Sequence, residues 1–210
     1  MSKKKLLYIL PEYDSLAPTH YVHIFDLLSE LGKNIDIFLL VEKSVGQPDI
    51  KNLEKIYVSK NFLDRFLTII RARFSGYKKA YVHYSHWGAI LAACFMKTYY
   101  WHCEVYDQFS MPLEFSKKYL EKKLIDEWPM RLAMKMVSYL VTGTKTVGDY
   151  YQKEFNLARS KIKIIPNWVN LKRFKIEKDK KQLRKDLGLP LNKKIVIFAH
   201  RLAPRKGADY

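Results

Sequence analysis

The chain has 210 residues, 48% hydrophobic and 14% aromatic, with 38 Lys and Arg against 21 Asp and Glu, a net charge of +17. That is apolar material for one sizeable core, too little length for two full α/β domains, and the wrong composition for disorder. No stretch approaches the roughly 18 apolar residues of a membrane-spanning helix.

The chain opens with Met1-Ser2-Lys3-Lys4-Lys5 and the apolar run Leu6–Leu10, too short for the core of a signal peptide and broken at Pro11, so it reads as a first buried strand. Thr19–Leu31 carries Val22, Ile24, Phe25, Leu27, Leu28 and Leu31 at helical spacing, Gly32 follows as a C-cap, and Ile35–Val41 is the next strand. Further strands are predicted at Ile56–Val58, Ala80–His83, Thr98–His102, Tyr139–Thr142 and Ile162–Ile165, separated by helical patterns at 61–74, 85–95, 113–136 and 144–155. Pro129 is expected to kink or divide the 113–136 helix. Repeated alternation of strand and helix predicts an α/β fold with a doubly wound parallel sheet.

Pro166-Asn167 ends the last of these strands. Residues 171–192 read as a basic connector with a short helix, Gln182–Leu187, stopped by Gly188 and Pro190. A final β-branched run, Ile195–Phe198, leads into the basic loop that ends at Lys206-Gly207, the way α/β proteins hold phosphate groups. One strand cannot bury its own faces, so residues 193–210 are expected to be the opening of a second domain that a partner or further chain completes. Charge follows the same division. Residues 1–60 are neutral, whereas residues 141–210 hold 18 Lys and Arg against 6 Asp and Glu. Such a field attracts nucleotide phosphates, anionic lipid or nucleic acid alike, and Lys172–Lys185 reads equally as a solvated linker. The two cysteines, Cys94 and Cys103, lack metal-ligand spacing, so a reduced cytoplasmic chain without disulfides is expected.

Ligands of open α/β sheets lie beyond the carboxyl ends of the strands, and candidate residues stand at three such places. The loop after the first strand, Pro11 to His20, brings an acid, hydroxyls including Ser15, and His20 to the entrance of the first helix, where Thr19 reads equally as an N-cap. After the strand at Thr98 come His102, Glu104 and Asp107, a histidine with two carboxylates; a satisfied structural histidine is the rival reading. Thr142-Gly143-Thr144 ends a strand and opens a helix whose free N–H groups suit an anion, with Thr144 as a plain N-cap the commoner explanation.

In this order the elements resemble the N-terminal half of a GT-B glycosyltransferase of family 4, the large retaining group. Four stretches carry the likeness: His20-Tyr21-Val22 with Leu27-Leu28 and Leu31-Gly32; Tyr100-Trp101-His102; Val141-Thr142-Gly143-Thr144 with Lys161 to Asn170 and Phe174; and Leu183 to Pro190 followed by His200-Arg201-Leu202 and Lys206-Gly207. The resemblance implies a Rossmann-like acceptor-side domain over 1–170 and the first strand and phosphate loop of a nucleotide-sugar domain over 193–210. It gives Arg201 and Lys206 the donor diphosphate, whose developing charge fixed cations stabilise without a metal or other cofactor. It places His102 beside the transferred sugar as the catalytic residue, and Ser15, His20, Glu104, Asp107 and Thr144 on the acceptor side.

This chain departs from the family pattern at Ser15-Leu16, where two glycines are common, at His200 and at Trp168. The later acidic motif that holds the donor lies beyond Tyr210, so the 210-residue chain is not expected to turn over alone. The implied partners are a nucleotide-sugar donor, a glycan or lipid-linked acceptor and a separate C-terminal half. Phe62, Phe66, Ile69, Ile70 and Phe74 form an apolar stripe beside Arg65, Arg71 and Arg73 that suits anionic lipid, although a sheet-covering helix with solvated arginines explains it equally and is preferred. Two other classes stay open. A non-catalytic interaction subunit would dock its last strand on a catalytic half. A nucleic-acid-binding protein would use the fifteen tyrosines to stack on bases, but they are scattered and no nucleic-acid motif is present, so no nucleic-acid partner is expected.

Overall fold

A computed structural model describes residues 3–15, 22–103, 127–171, 175 and 177–197. The chain divides into two compact units, Met1–Asn170 and Leu171–Tyr210. In the first, seven parallel strands form one sheet in the order β3-β2-β1-β4-β5-β6-β7. They are β1 (Lys4–Asp14), β2 (Ile35–Val45), β3 (Lys55–Val58), β4 (Lys79–His83), β5 (Lys97–Trp101), β6 (Tyr139–Thr142) and β7 (Ile162–Ile164). The helices are α1 (Val22–Leu31), α2 (Phe62–Phe74), α3 (His86–Ala93), α4 (Trp128–Met136) and α5 (Lys145–Glu154), with α6 (Lys180–Asp186) in the second unit.

Alternate residues along each strand point to opposite faces, and here both faces are covered. Leu7, Ile9, Phe38, Leu40, Ala80, Val82, Tyr100 and Leu140 pack under α2 to α5 through Ile69, Ala89, Met130, Met134 and Tyr151. Tyr8, Leu10, Ile37, Leu39 and Val41 pack with Ile24 and Leu28 of α1 on the other side. The Rossmann-like doubly wound sheet read from the sequence is therefore the fold.

Several boundaries differ from the expectations. β1 does not stop at Pro11 but runs on to Asp14, paired with β2 through Asp14 and Val45. Pairing with β4 has ended at Ile9, so Pro11 lies where the strand has one open edge and a missing donor is tolerated. Pro129 is expected from the sequence to kink or divide a helix. It sits in the first turn of α4, where a proline costs no helical hydrogen bond. The stretch of the predicted 113–136 helix before residue 127 lies outside the described residues. α2 covers the sheet as preferred, with Ile69 buried and Phe66 and Ile70 half-buried, but the ends of the apolar stripe do not reach the core: Phe62 is 51% and Phe74 86% exposed, and Thr68 and Ala72 complete the contact. Of the run expected to form a last strand, Ile195–Ile197 pair with no other strand among the described residues.

Gly32 serves space and not a left-handed turn. A Cβ there would stand 2.1 Å from the backbone carbonyl oxygen of Asn52, whose own side chain donates to the Ser29 carbonyl at 3.0 Å. Gly32→Ala should therefore force the loop before β3 off the end of α1 and destabilise the protein by about 2 kcal/mol. Urea unfolding that shows the variant within 0.5 kcal/mol of the parent, an order-of-magnitude threshold, would contradict this close approach.

Candidate functional site

The crevice of a doubly wound sheet opens where the winding reverses. From β1 the chain steps outward to β2 and β3, and from β4 it runs the other way to β7, so the reversal lies between β1 and β4. Three elements are tied together there by one carboxylate. Glu42, on the polar end of β2, pairs with Arg65 Nη1 of α2 at 3.0 Å and accepts a short hydrogen bond from the Ser85 hydroxyl. Ser85 is also the N-cap of α3, accepting from the Gly88 amide at 2.9 Å. Gly88 is the residue that leaves room: a Cβ would stand 2.6 Å from Ser85 Oγ and 2.9 Å from Glu42 Oε1.

The expectation of solvated arginines on α2 is thus corrected at Arg65, whose side chain is 13% exposed against 12% for Glu42. Burial pushes the Glu42 carboxyl above its ordinary value, while Ser85 and the Arg65 charge oppose that shift. Arg65 Nε is itself buried without a partner among the described residues. A pair held at this desolvation cost contributes little as a pair, but losing one member strands the other.

Beyond β4, Tyr84 adopts a left-handed backbone with φ of 55°, and the Ser85 amide donates back to the His83 carbonyl at 2.8 Å. This γ-turn is a strained conformation for a tyrosine, and such strain gathers at functional sites. It turns β4 directly into α3 and gathers a ring cluster. His83 stacks on Trp101 at 5.5 Å and 8° between planes, and Tyr84 meets His102 at 5.4 Å. His86 Nδ1 is 2.5 Å from the Tyr100 hydroxyl, and His102 Nδ1 is 2.6 Å from the Tyr151 hydroxyl. His102 is 1% and His83 5% exposed. Burial holds both imidazoles down at about 3, with neighbouring histidines adding to the effect, so both are neutral at pH 7.

His102 is the first residue past β5, still bonded through its amide to the Val141 carbonyl at 3.0 Å. Thr144, past the adjacent β6, is the N-cap of α5 and accepts from the Val147 amide at 3.3 Å. Ser15 lies at the tip of the β1–β2 ribbon, its hydroxyl donating to the Val45 carbonyl at 3.2 Å. His20, Glu104, Asp107, Arg201 and Lys206 lie outside the described residues. Sequence reading missed Glu42, Ser85, His83 and His86, and placed Arg65 in solvent or on lipid. The available signals were a glycine inside the first turn of a helix and two histidines flanking the end of β4. Among the described residues no group of three His, Cys, Asp or Glu is placed to hold a metal ion, and both cysteines are free thiols. No helix among the described residues is long and apolar enough to cross a membrane.

No protein-family model matches the sequence, and no curated protein matches it. Solved structures do. A glycosyltransferase from Rickettsia africae ESF-5 superposes with a TM-score of 0.58 at 16% identity, over 91% of this chain and 51% of that one. Anabaena Alr3699/HepE in complex with UDP gives 0.57 at 12% identity, over 88% and 50%. The UDP-GlcNAc 2-epimerase of Methanocaldococcus jannaschii gives 0.51 at 14%, over 78% and 45%. The chain thus spans about half the length of the solved structures it matches. At these identities the likeness is one of fold, the α/β sheet of GT-B proteins.

Two outcomes are expected from this geometry. Glu42→Ala and Arg65→Ala should each cost about 3 kcal/mol, and the double variant clearly less than their sum, in a denaturant double-mutant cycle; additive costs would show that the two do not interact. Because the native histidines titrate near 3 and unfolded histidine near 6.5, the native state binds fewer protons between those values and stability falls with falling pH. Unfolding free energies at pH 7, 6 and 5 should drop by up to about 1.4 kcal/mol per pH unit for each histidine, and more shallowly in His83→Gln.

Proposed function

We propose that the chain is the acceptor-side part of a retaining, family 4 type glycosyltransferase that moves a sugar from a nucleotide-sugar donor to a glycan or lipid-linked acceptor. The observation that carries the reading is the superposition of about nine-tenths of this chain on half of a glycosyltransferase and half of a UDP-bound protein. The sequence stretches around His102, Asn167 and Arg201 support it independently.

In this reading the bond between the sugar and the diphosphate breaks and the diphosphate leaves with the electron pair. The acceptor hydroxyl forms the new glycosidic bond and passes its proton to the departing diphosphate. Arg201 and Lys206 stabilise the departing charge, so no metal is needed. His102, neutral and bonded through Nδ1 to Tyr151, brings no positive charge to the sugar side. Ser15, His20, Glu104, Asp107 and Thr144 line the acceptor side. The work is done in the cytoplasm, and the nucleotide-binding half is supplied by another segment or chain.

A second reading follows from the epimerase superposition: the same sheet would hold UDP-GlcNAc while the configuration at the sugar's C2 changes. Two assays separate these. The 210-residue protein alone should transfer no sugar. With a nucleotide-binding half present, millimolar UDP- or GDP-sugar should raise the melting temperature by more than about one degree, an effect lost in Arg201→Ala/Lys206→Ala, and transfer should persist in EDTA. Inversion at C2 without transfer would establish the epimerase reading. Absence of any nucleotide-sugar binding in either form would overturn both and favour an interaction subunit.

A further inference from the structure

The described side chains of the first unit form a recess at the edge of the sheet opposite the candidate site. It lies between α2 and the amino ends of β1 to β3 and encloses about 280 Å³. Its walls are apolar and aromatic, from Phe38, Tyr57 and Tyr77, while Lys5, Lys55 and Arg71 stand around it.

These groups are held in place by one another. Phe38 meets Tyr77 edge-on at 5.8 Å. Lys55 Nζ sits over the Phe38 ring at 5.0 Å, and Lys5 Nζ lies 5.3 Å from the centre of Tyr77. Lys5 donates once to the Ser75 carbonyl at 3.2 Å, which leaves two of its three donors for another acceptor. The tyrosine hydroxyls are already committed. Tyr77 donates to Glu54 at 2.6 Å and Tyr57 donates to Asp64 at 2.9 Å. Neither Lys55 nor Arg71 has a carboxylate in salt-bridge distance among the described residues. Three cations thus face the recess; of the carboxylates near them, Glu54 is held by Tyr77, and Asp64, held by Tyr57, lies within electrostatic reach of Arg71.

We propose that this recess binds a small organic dianion, a monophosphate ester whose phosphate meets Lys5, Lys55 and Arg71 and whose organic part rests on Tyr57. Apolar walls with a few converging charges are what small-ligand sites are made of, and a guanidinium with two ammonium groups matches the oxygens of a phosphate. The site is separate from the carboxyl edge where the winding reverses, and its argument does not rest on the glycosyltransferase reading.

The test is calorimetric titration of the 210-residue protein at low ionic strength with phenyl phosphate and, separately, inorganic phosphate. Phenyl phosphate should bind at least about tenfold more tightly than phosphate, because only it uses the aromatic walls. Lys55→Gln and Arg71→Gln, both at exposed positions, should each weaken it by about tenfold, with circular dichroism showing an unchanged fold. Arg201→Ala/Lys206→Ala should leave it unaltered. No binding up to about 10 mM, or equal affinity for the two probes, would overturn the proposal. So would loss of binding confined to the Arg201/Lys206 variant, which would assign the phosphate to the donor loop.

Discussion

The structure around the reversal of winding depends on where one buried carboxylate ends up. Glu42 follows a run of five buried residues in β2, and its side chain must leave the apolar interior at the one place where β1 and β4 part company. It is met there by Arg65 from the helix that precedes β4 and by the N-cap serine of the helix that follows it. The carboxylate therefore joins the two helices on either side of β4. The absence of a side chain at Gly88 is what lets α3 approach closely enough for the contact. A buried ion pair of this kind sets position more than it adds stability, because desolvation offsets most of its attraction.

The same closeness explains the chemistry of the ring cluster. Once Ser85 is anchored, the chain has a single residue in which to turn from β4 into α3, and Tyr84 takes up the strain. His83 and His86 then flank the turn, one in the sheet and one in the helix, and His102 arrives from the neighbouring strand. Desolvation keeps His83 and His102 neutral and makes them hydrogen-bonding groups instead of charges. The net charge of +17 is thus expressed elsewhere on the chain, not in this cluster.

Helix α2 links the two ends of the sheet. Its first turns carry Arg65 into the pair with Glu42, and Arg71, nearly two turns further on, stands at the recess between Phe38 and Tyr77. The exposed Phe62 and Phe74 at its two ends show that an apolar stripe at helical spacing located the sheet-facing side through Phe66, Ile69 and Ile70 but not its extent. What α2 buries is chosen by the strands beneath it, and those strands prefer the small or branched residues Thr68, Ile69 and Ala72.

The sequence by itself determined the order and type of the elements. Runs such as Leu6–Leu10 and Ile35–Val41 are apolar on both faces, and strands of that kind, separated by amphipathic helices, have no stable arrangement but a parallel sheet covered on both sides. His102 and Thr144 were legible as candidates because both stand at strand ends, which local pattern locates well. The tertiary structure alone decided which residues meet. Glu42, Arg65 and Ser85 are 20 to 43 positions apart, and their pairing follows from strand order and the close approach allowed by Gly88, neither of which leaves a periodic trace. The continuation of β1 through Pro11 and the neutral state of the histidines are of the same kind. Each depends on which neighbour is present or absent in space, and hydrophobic periodicity carries no information about that.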